Sequence, residues 1–145
     1  MKQNQLANHT EATVLQLLET ASILERSLDG ALSNTRGISF SEYRLLRALA
    51  NGNAGGSPRI DLAKAIGLTA SAVTRALKPL EKLGYVTTQK SERDARQSRA
   101  VITTAGRELL DDAQGVLRDM LRPLAINRLG PQEVADFRDR LGELR

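Results

Sequence analysis

The sequence predicts a mainly α-helical protein with one small β-hairpin, an α+β fold that forms a single domain. Apolar residues recur at every third or fourth position over most of the chain, as they do on one face of a helix. Two short helical segments in the middle of the chain are separated by a glycine turn. Directly after them, two runs rich in β-branched residues flank a charged loop. The length of 145 residues fits one domain.

A long amphipathic helix is predicted near the amino end, over residues 11–36. Its apolar positions follow the three-and-four spacing of a helix that packs on one side. They are Val14, Leu17, Leu18, Ala21, Leu24, Leu28 and Leu32. Residues 1–10 include His9, the only histidine of the chain, and we expect them to form a flexible end.

Two shorter helices are predicted next. Ser39 and Glu42 have the spacing of a capping box, which predicts that a helix begins there. A glycine-rich loop follows it. We then expect Ser57 to cap a third helix and Pro58 to begin it, because proline is well tolerated in the first turn. Gly67 ends this helix, since glycine readily adopts the left-handed conformation found there.

A fourth helix and a β-hairpin complete the middle of the chain. Thr69 is a suitable cap for the helix, and Gly84 closes it. Pro79 lies inside the predicted helix and is expected to kink it, because proline removes one backbone hydrogen bond. The β-rich runs that follow are joined by a polar loop from Lys90 to Ser98, which predicts a hairpin with a basic tip.

Two helices are predicted at the carboxyl end. The first extends over residues 104–128 after a threonine cap, and we expect Gly115 to interrupt it and Pro123 to bend it. The second follows Gly130 and carries apolar residues at helical spacing. Together with residues 11–36, the segment 104–145 flanks a central lobe over residues 39–103.

The net charge of the chain is concentrated in one segment. Leu68–Arg99 contains seven basic and three acidic residues, whereas the rest of the chain contains 14 of each. The whole net charge of +4 therefore lies in this segment. A local basic field of this kind suits a polyanion such as nucleic acid. The alternative at this point is a solvated basic face without a partner.

Several classes of function are disfavoured by what the sequence lacks. With no cysteine there is no disulfide and no thiolate metal site, and we expect neither a metal nor a cofactor. No phosphate-binding loop or nucleophile with a nearby base can be found, so we expect that the protein is not an enzyme. No apolar run approaches the roughly 20 residues of a membrane span. We therefore expect a cytoplasmic protein without membrane contact.

The third and fourth helices have the form of a helix-turn-helix, whose second helix enters the major groove of DNA. Short hydroxyls can approach bases or phosphates there, and arginine can bind guanine through two hydrogen bonds. The candidate residues of the fourth helix are Thr69, Ser71, Ala72, Thr74, Arg75 and Lys78. Ser57 and Arg59 are candidate phosphate contacts. Thr69 could equally act only as a cap.

The hairpin supplies the second group of candidate DNA contacts. Arginine suits the narrow, electronegative minor groove, which the hairpin tip could reach. The candidates are Lys90, Arg93, Asp94, Arg96 and Arg99. The alternative for Asp94 and Arg96 is an exposed ion pair, which would contribute little to stability.

The segment Thr69–Val86, followed by Ser91–Gly106, resembles the recognition helix and wing of the MarR family of winged helix-turn-helix transcription regulators. Asp94-x-Arg96 before Val-x-Thr-x-x-Gly resembles the wing signature of that family. The resemblance extends over nearly the whole chain. It implies a symmetric dimer held by the terminal helices and a pseudopalindromic operator in double-stranded DNA. It also implies release by a small ligand, often aromatic or phenolic.

We therefore predict a sequence-specific DNA-binding regulator, a repressor that acts as a homodimer and forms a single domain over residues 1–145. The candidate interface residues are Leu17, Leu24, Leu28, Val134, Phe137 and Leu141. These side chains could instead pack within one subunit. A winged helix can also serve protein contacts or bind nucleic acid without sequence preference, because a fold does not fix a function. The operator, the ligand and the regulated genes cannot be deduced from the sequence.

Overall fold

The computed structural model describes the backbone of residues 2–90 and 98–144, and the side chains from Asn8 onward within these ranges. The described part contains six α-helices, a short 3-10 helix and a three-stranded antiparallel sheet. In chain order the elements are α1 (Lys2–Arg36), α2 (Phe40–Asn51), β1 (Ser57–Pro58), α3 (Arg59–Ile66), α4 (Ala70–Lys82), β2 (Val86–Lys90), β3 (Ser98–Ile102), α5 (Thr104–Leu121), the 3-10 helix (Ala125–Arg128) and α6 (Pro131–Gly142). The predicted α+β fold class is confirmed.

Helix α1 is longer than predicted. It begins at Lys2, so the prediction of a flexible end over residues 1–10 is wrong for residues 2–10, and His9 lies within the helix. The physical reason is that no proline or glycine interrupts this stretch, whose Lys, Gln, Leu and Ala residues favour a helix. The lack of an apolar stripe over residues 2–10 therefore does not exclude a helix there.

The start of α3 also differs from the prediction. Ser57 does not cap the helix: with Pro58 it forms strand β1, which pairs with Ala100 and Arg99 of β3. Helix α3 begins at Arg59 without a side-chain cap. This third strand depends on Gly56, whose backbone has φ 82° and lies against β3. A strand of two residues has no sequence pattern of its own.

Helix α5 is shorter than predicted. It passes through Gly115 without interruption and ends at Leu121, two residues before Pro123. Arg122 is still helical (φ −53°, ψ −43°), but Pro123 has no N–H to continue the helical hydrogen bonds, so it ends this helix rather than bending it. The side-chain amide of Asn127 then donates hydrogen bonds to the carbonyls of Leu121 (2.7 Å) and Arg122 (2.9 Å). These bonds satisfy acceptors that the end of the helix leaves free.

The capping signals predicted for α2 and α4 are confirmed. Ser39 Oγ accepts a hydrogen bond from the backbone N–H of Glu42 (3.1 Å), and the backbone N–H of Ser39 donates to the Glu42 carboxylate (2.7 Å). Helix α4 follows Thr69 and continues past Pro79 to Lys82. The strand order is β1-β3-β2, and β2 pairs with β3 over the five residues of each strand.

The hydrophobic core lies in the central lobe and against two flanking helices. Its fully buried large side chains come from the end of α1, from α2, α3, α4 and from β2. They are Leu32, Leu45, Leu46, Leu62, Leu77, Leu80, Val73 and Val86. Helix α5 contributes Leu110, Ala113 and Leu117, whereas α6 buries no residue. Burying one such large side chain stabilises a fold by roughly 1.5–3 kcal/mol.

Within the described residues, no helix is long and apolar enough to cross a membrane.

Candidate nucleic-acid interface

The turn between α3 and α4 is fixed by glycine and by backbone hydrogen bonds. Gly67 has φ 66°, the left-handed conformation that ends α3. The N–H of Leu68 donates to the carbonyl of Ala63 (3.0 Å). One residue later, Thr69 Oγ1 accepts a hydrogen bond from the N–H of Ala72 (3.2 Å) and starts α4. Three residues thus separate the two helices, as in a helix-turn-helix.

Helix α4 has one buried and one exposed face. Val73, Leu77 and Leu80 are buried in the core. Ser71 and Arg75 are exposed, as is Lys78, so these candidate side chains project away from the lobe. The apolar face therefore fixes the rotation of the helix about its axis and presents the polar face to a partner.

The hydroxyl groups of α4 differ in what they can still bind. The Thr69 oxygen accepts the capping bond, which leaves its hydroxyl proton free for an acceptor such as a phosphate. Thr74 Oγ1 instead donates to the carbonyl of Ala70 (3.0 Å), so this proton is already used. Thr74 and Ala72 are both half-buried. As capping and phosphate contact use different parts of the hydroxyl, Thr69 can serve both roles.

Arg75 and Lys78 are two of the three cations of α4, and the third, Lys82 in its last turn, is likewise without an ion pair among the described residues. No ion pair found within residues 8–90 and 98–144 involves either side chain. Their charges are therefore not compensated by a close carboxylate in the part of the chain that the structure describes. An uncompensated, exposed guanidinium can bind two acceptors of one base or phosphate.

The two strands of the wing are paired up to Lys90 and Ser98. Lys90 of β2 pairs with Ser98 of β3, so the seven intervening residues form the connection. The predicted contacts Arg93, Asp94 and Arg96 belong to this connection and lie outside the described residues. Lys90 is exposed at the end of its strand. Arg99 is half-buried, and its guanidinium donates to the carbonyl of Gly56 at 3.5 Å.

Arg59 has partners that the sequence did not predict. Its guanidinium donates to Ser98 Oγ and lies 3.4 Å from the carboxylate of Glu81, which also accepts a hydrogen bond from Thr88. The phosphate contact predicted for Arg59 and Ser57 stays a prediction. Arg59 is 22 residues from Glu81 and 39 from Ser98 in the chain. No local spacing could have indicated these contacts.

The terminal helices leave apolar side chains exposed. Leu17, Leu24, Val134 and Leu141 are half-buried, as is Leu28, which packs against the core of its own subunit. Phe137 is 45% exposed and Leu18 is 57% exposed. Exposed apolar residues of α1 that were not among the interface candidates are Val14, Leu15, Leu18 and Ile23. The apolar surface of α1 is therefore wider than predicted.

A helix-turn-helix followed by a wing on a three-stranded sheet defines the class: this is a winged-helix protein with a DNA-binding type of fold. Comparison with family models gives a match of residues 36–97 to the MarR family. A comparison with curated protein sequences gives no match. Residues 36–97 thus match the MarR family, which confirms the resemblance found in the sequence.

Solved structures with the same fold extend the likeness beyond the matched segment. Sco3205 from Streptomyces coelicolor, a MarR family transcriptional regulator solved in complex with DNA, is 29% identical, with a TM-score of 0.76 over 92% of this chain and 81% of that one. CouR from Rhodococcus jostii RHA1, solved with p-coumaroyl-CoA, is 22% identical, with a TM-score of 0.81 over 93% and 92%. A MarR/EmrR family regulator from Acinetobacter sp. ADP1 is 22% identical, with a TM-score of 0.82 over 94% of each chain.

Proposed function

We propose that this protein is a sequence-specific DNA-binding repressor that acts as a homodimer on a pseudopalindromic operator in the cytoplasm. The main support for this proposal is the exposed polar face of α4. Arg75 and Lys78 project from this face without a carboxylate partner among the described residues. A helix of this kind fits the major groove. The DNA complex of Sco3205 supports DNA as the partner.

The recognition helix combines two kinds of contact in this proposal. Arg75, near the middle of α4, binds a guanine edge, while Lys78 and the Thr69 hydroxyl bind phosphates. We propose that Lys90 and Arg96 of the wing contact the neighbouring minor groove. Phosphate contacts supply affinity and fix the register, and base contacts supply the sequence preference.

The homodimer is supported by the exposed apolar surface of the terminal helices. Leu18 and Ile23 of α1 and Phe137 of α6 lie on helices that contribute little or nothing to the core of one subunit. Exposed apolar side chains grouped in this way indicate a protein interface. Two copies related by a twofold axis present two α4 helices, which suits an operator with two half-sites. We propose residues 11–36 and 104–145 as the dimerisation segments and residues 39–103 as the DNA-binding lobe.

Release by a small aromatic or phenolic ligand is supported by a hollow of about 390 Å³ where α1 meets α2. Phe40 and Arg26 line it, together with Ser22, Glu25, Asp29 and Ser41. Beside it, Asp29 Oδ1 accepts a hydrogen bond from the N–H of Phe40 (2.7 Å) and so joins a dimerisation helix to the DNA-binding lobe. A ligand bound here can change the angle between the two parts. CouR was solved with p-coumaroyl-CoA, an aromatic acyl thioester.

The proposed function is tested by selecting the fragments of genomic DNA that the purified protein binds. We expect one enriched motif with inverted half-sites whose centres lie about one helical turn apart. Recovery of fragments without a shared motif would indicate binding without sequence preference. Recovery of no DNA at all would favour a winged helix used for protein contacts.

Arg75→Ala is expected to weaken operator binding by roughly 1–3 kcal/mol per half-site, because a two-point contact with guanine is lost. The preference at one base pair of each half-site should relax, while the other positions keep theirs. Affinities for a panel of single-base operator variants measure this. A uniform loss over all sequences would assign Arg75 to a phosphate instead.

Arg96→Ala is expected to weaken operator binding while leaving the melting temperature close to that of the wild type. We expect the Asp94–Arg96 pair to contribute little to folding, whereas the loss of a groove contact removes hydrogen bonds and counterion release. The salt dependence of binding should become shallower by about one unit if the guanidinium meets a phosphate. Asp94→Ala should show a milder loss. Wild-type affinity in Arg96→Ala would mean that the wing does not contact DNA.

A further inference from the structure

Four polar side chains from four different elements meet beside the wing. Arg59 lies at the start of α3, Glu81 in the last turn of α4, Thr88 on β2 and Ser98 at the start of β3. The guanidinium of Arg59 donates to Ser98 Oγ and lies 3.4 Å from Glu81 Oε1. Thr88 Oγ1 donates to the same carboxylate oxygen. We call these four residues the wing brace.

The wing brace connects both strands of the wing to the helix-turn-helix. Thr88 lies two residues before the end of β2, and Ser98 is the first residue of β3. Both strands are therefore held close to the point where the loop begins and ends. Glu81 lies on the same helix as Arg75, and Arg59 begins the preceding helix. The brace thus holds the ends of both wing strands against the helix-turn-helix.

Arg59 is poorly placed for the phosphate contact that its position in the sequence predicts. Its side chain is only 28% exposed, and both terminal nitrogens have partners. Its Nε is buried, and no hydrogen-bond partner for it is found within the described residues. A phosphate would have to compete with Glu81 and Ser98 for a guanidinium that is mostly withdrawn from solvent.

Glu81 lies at a position that is electrostatically unfavourable for a carboxylate. A carboxylate in the last turn of a helix lies near the negative end of the helix dipole, which is unfavourable. It also lies in the segment with the positive surplus, where it opposes the attraction of DNA. The pairing with Arg59 and Thr88 offsets the first disadvantage, and correct placement of the wing would offset the second.

We infer that Glu81 and Arg59 are positioning residues for DNA binding, acting through the wing rather than by touching DNA. This inference rests on the proposed function. Removing a carboxylate near a DNA-binding surface should strengthen binding by electrostatics alone, whereas Glu81→Gln should weaken it because the wing is no longer held.

The test is a double-mutant cycle of Arg59→Met and Glu81→Gln on the duplex selected in the experiment above. Asp61→Asn is the matched control, since Asp61 is an exposed carboxylate on the same helix as Arg59. Affinity is measured at several salt concentrations for dimers whose folded fraction is known, and melting temperatures are recorded alongside. If two side chains act as one unit, the double variant is no weaker than the weaker single variant.

We expect each single variant to bind about fivefold more weakly, an effect of the size that coupled contacts show. The double variant should match the weaker single one, the salt slope should stay at the wild-type value, and Asp61→Asn should bind as well as the wild type or better. If Arg59→Met lowers the salt slope by about one while Glu81→Gln binds as well as the wild type or better, Arg59 contacts a phosphate and the inference is overturned.

Two further outcomes separate this inference from the proposed function. Lower melting temperatures with unchanged affinity of the folded protein would make the brace purely structural and overturn the inference alone. A wild-type protein that binds the selected and scrambled duplexes equally would overturn the proposed function, and the inference with it.

Discussion

Gly106→Ala is expected to destabilise the protein by about 3 kcal/mol, the upper range for overpacking a tight contact. Gly106 lies in the first turn of α5, close to Tyr85, the residue before β2. A Cβ built there would lie 2.1 Å from the carbonyl oxygen of Tyr85 and 2.8 Å from Cγ1 of Ile102. The backbone oxygen cannot move without breaking its hydrogen bond from the N–H of Thr103 (3.0 Å). The clash therefore separates α5 from the sheet.

Gly115→Ala is the matched control for this prediction, because it adds the same methyl group to the same helix. A Cβ there meets nothing within 4 Å. Alanine should therefore stabilise the helix by roughly 0.5–1 kcal/mol, the usual difference from glycine. Chemical denaturation of both variants measures the two effects with their opposite signs. A Gly106→Ala protein as stable as the wild type would mean that α5 does not approach Tyr85 so closely.

Leu18→Asp is expected to abolish dimerisation at micromolar concentration and to remove operator binding with it. Leu18 is 57% exposed in a single chain, on the helix proposed to meet the partner. Burying a leucine contributes roughly 1.5–3 kcal/mol, and a twofold axis makes each contact occur twice. The carboxylate adds a desolvation cost in the same place. Phe137→Asp on α6 should act in the same direction.

Gln16→Asp is the control for the dimer prediction, since it introduces the same carboxylate at an exposed polar position of α1. It should remain a dimer and bind the operator. Light scattering measures the mass of each variant, and anisotropy on the labelled operator measures its affinity. A Leu18→Asp protein that stays dimeric would place the interface elsewhere on the chain.

The parts of the fold that the sequence predicts correctly are those set by neighbouring residues. Ser39 with Glu42, and Thr69 at the start of α4, are caps whose donors and acceptors lie three residues apart. The exposed face of α4 follows from helical periodicity once Val73 and Leu77 are assigned to the core. These signals are local, so they do not depend on where the rest of the chain goes.

The features missed from the sequence depend on contacts between distant residues. Strand β1 exists only because Ser57 pairs with Ala100, 43 positions further along the chain. The partners of Arg59 are distant in the same way. The glycine of the Val-x-Thr-x-x-Gly motif was recognised by family resemblance, and the close approach of Gly106 to Tyr85 now gives its physical reason.

We propose that two copies of this chain bind one specific DNA site together. The most direct test is a competition titration of the selected operator against a scrambled duplex of equal length, with the mass of the complex measured at saturation. We expect two protomers per operator and a preference of about a thousandfold or more, as specific regulators show. Equal affinity for the two duplexes, or one protomer per duplex at saturation, would contradict it.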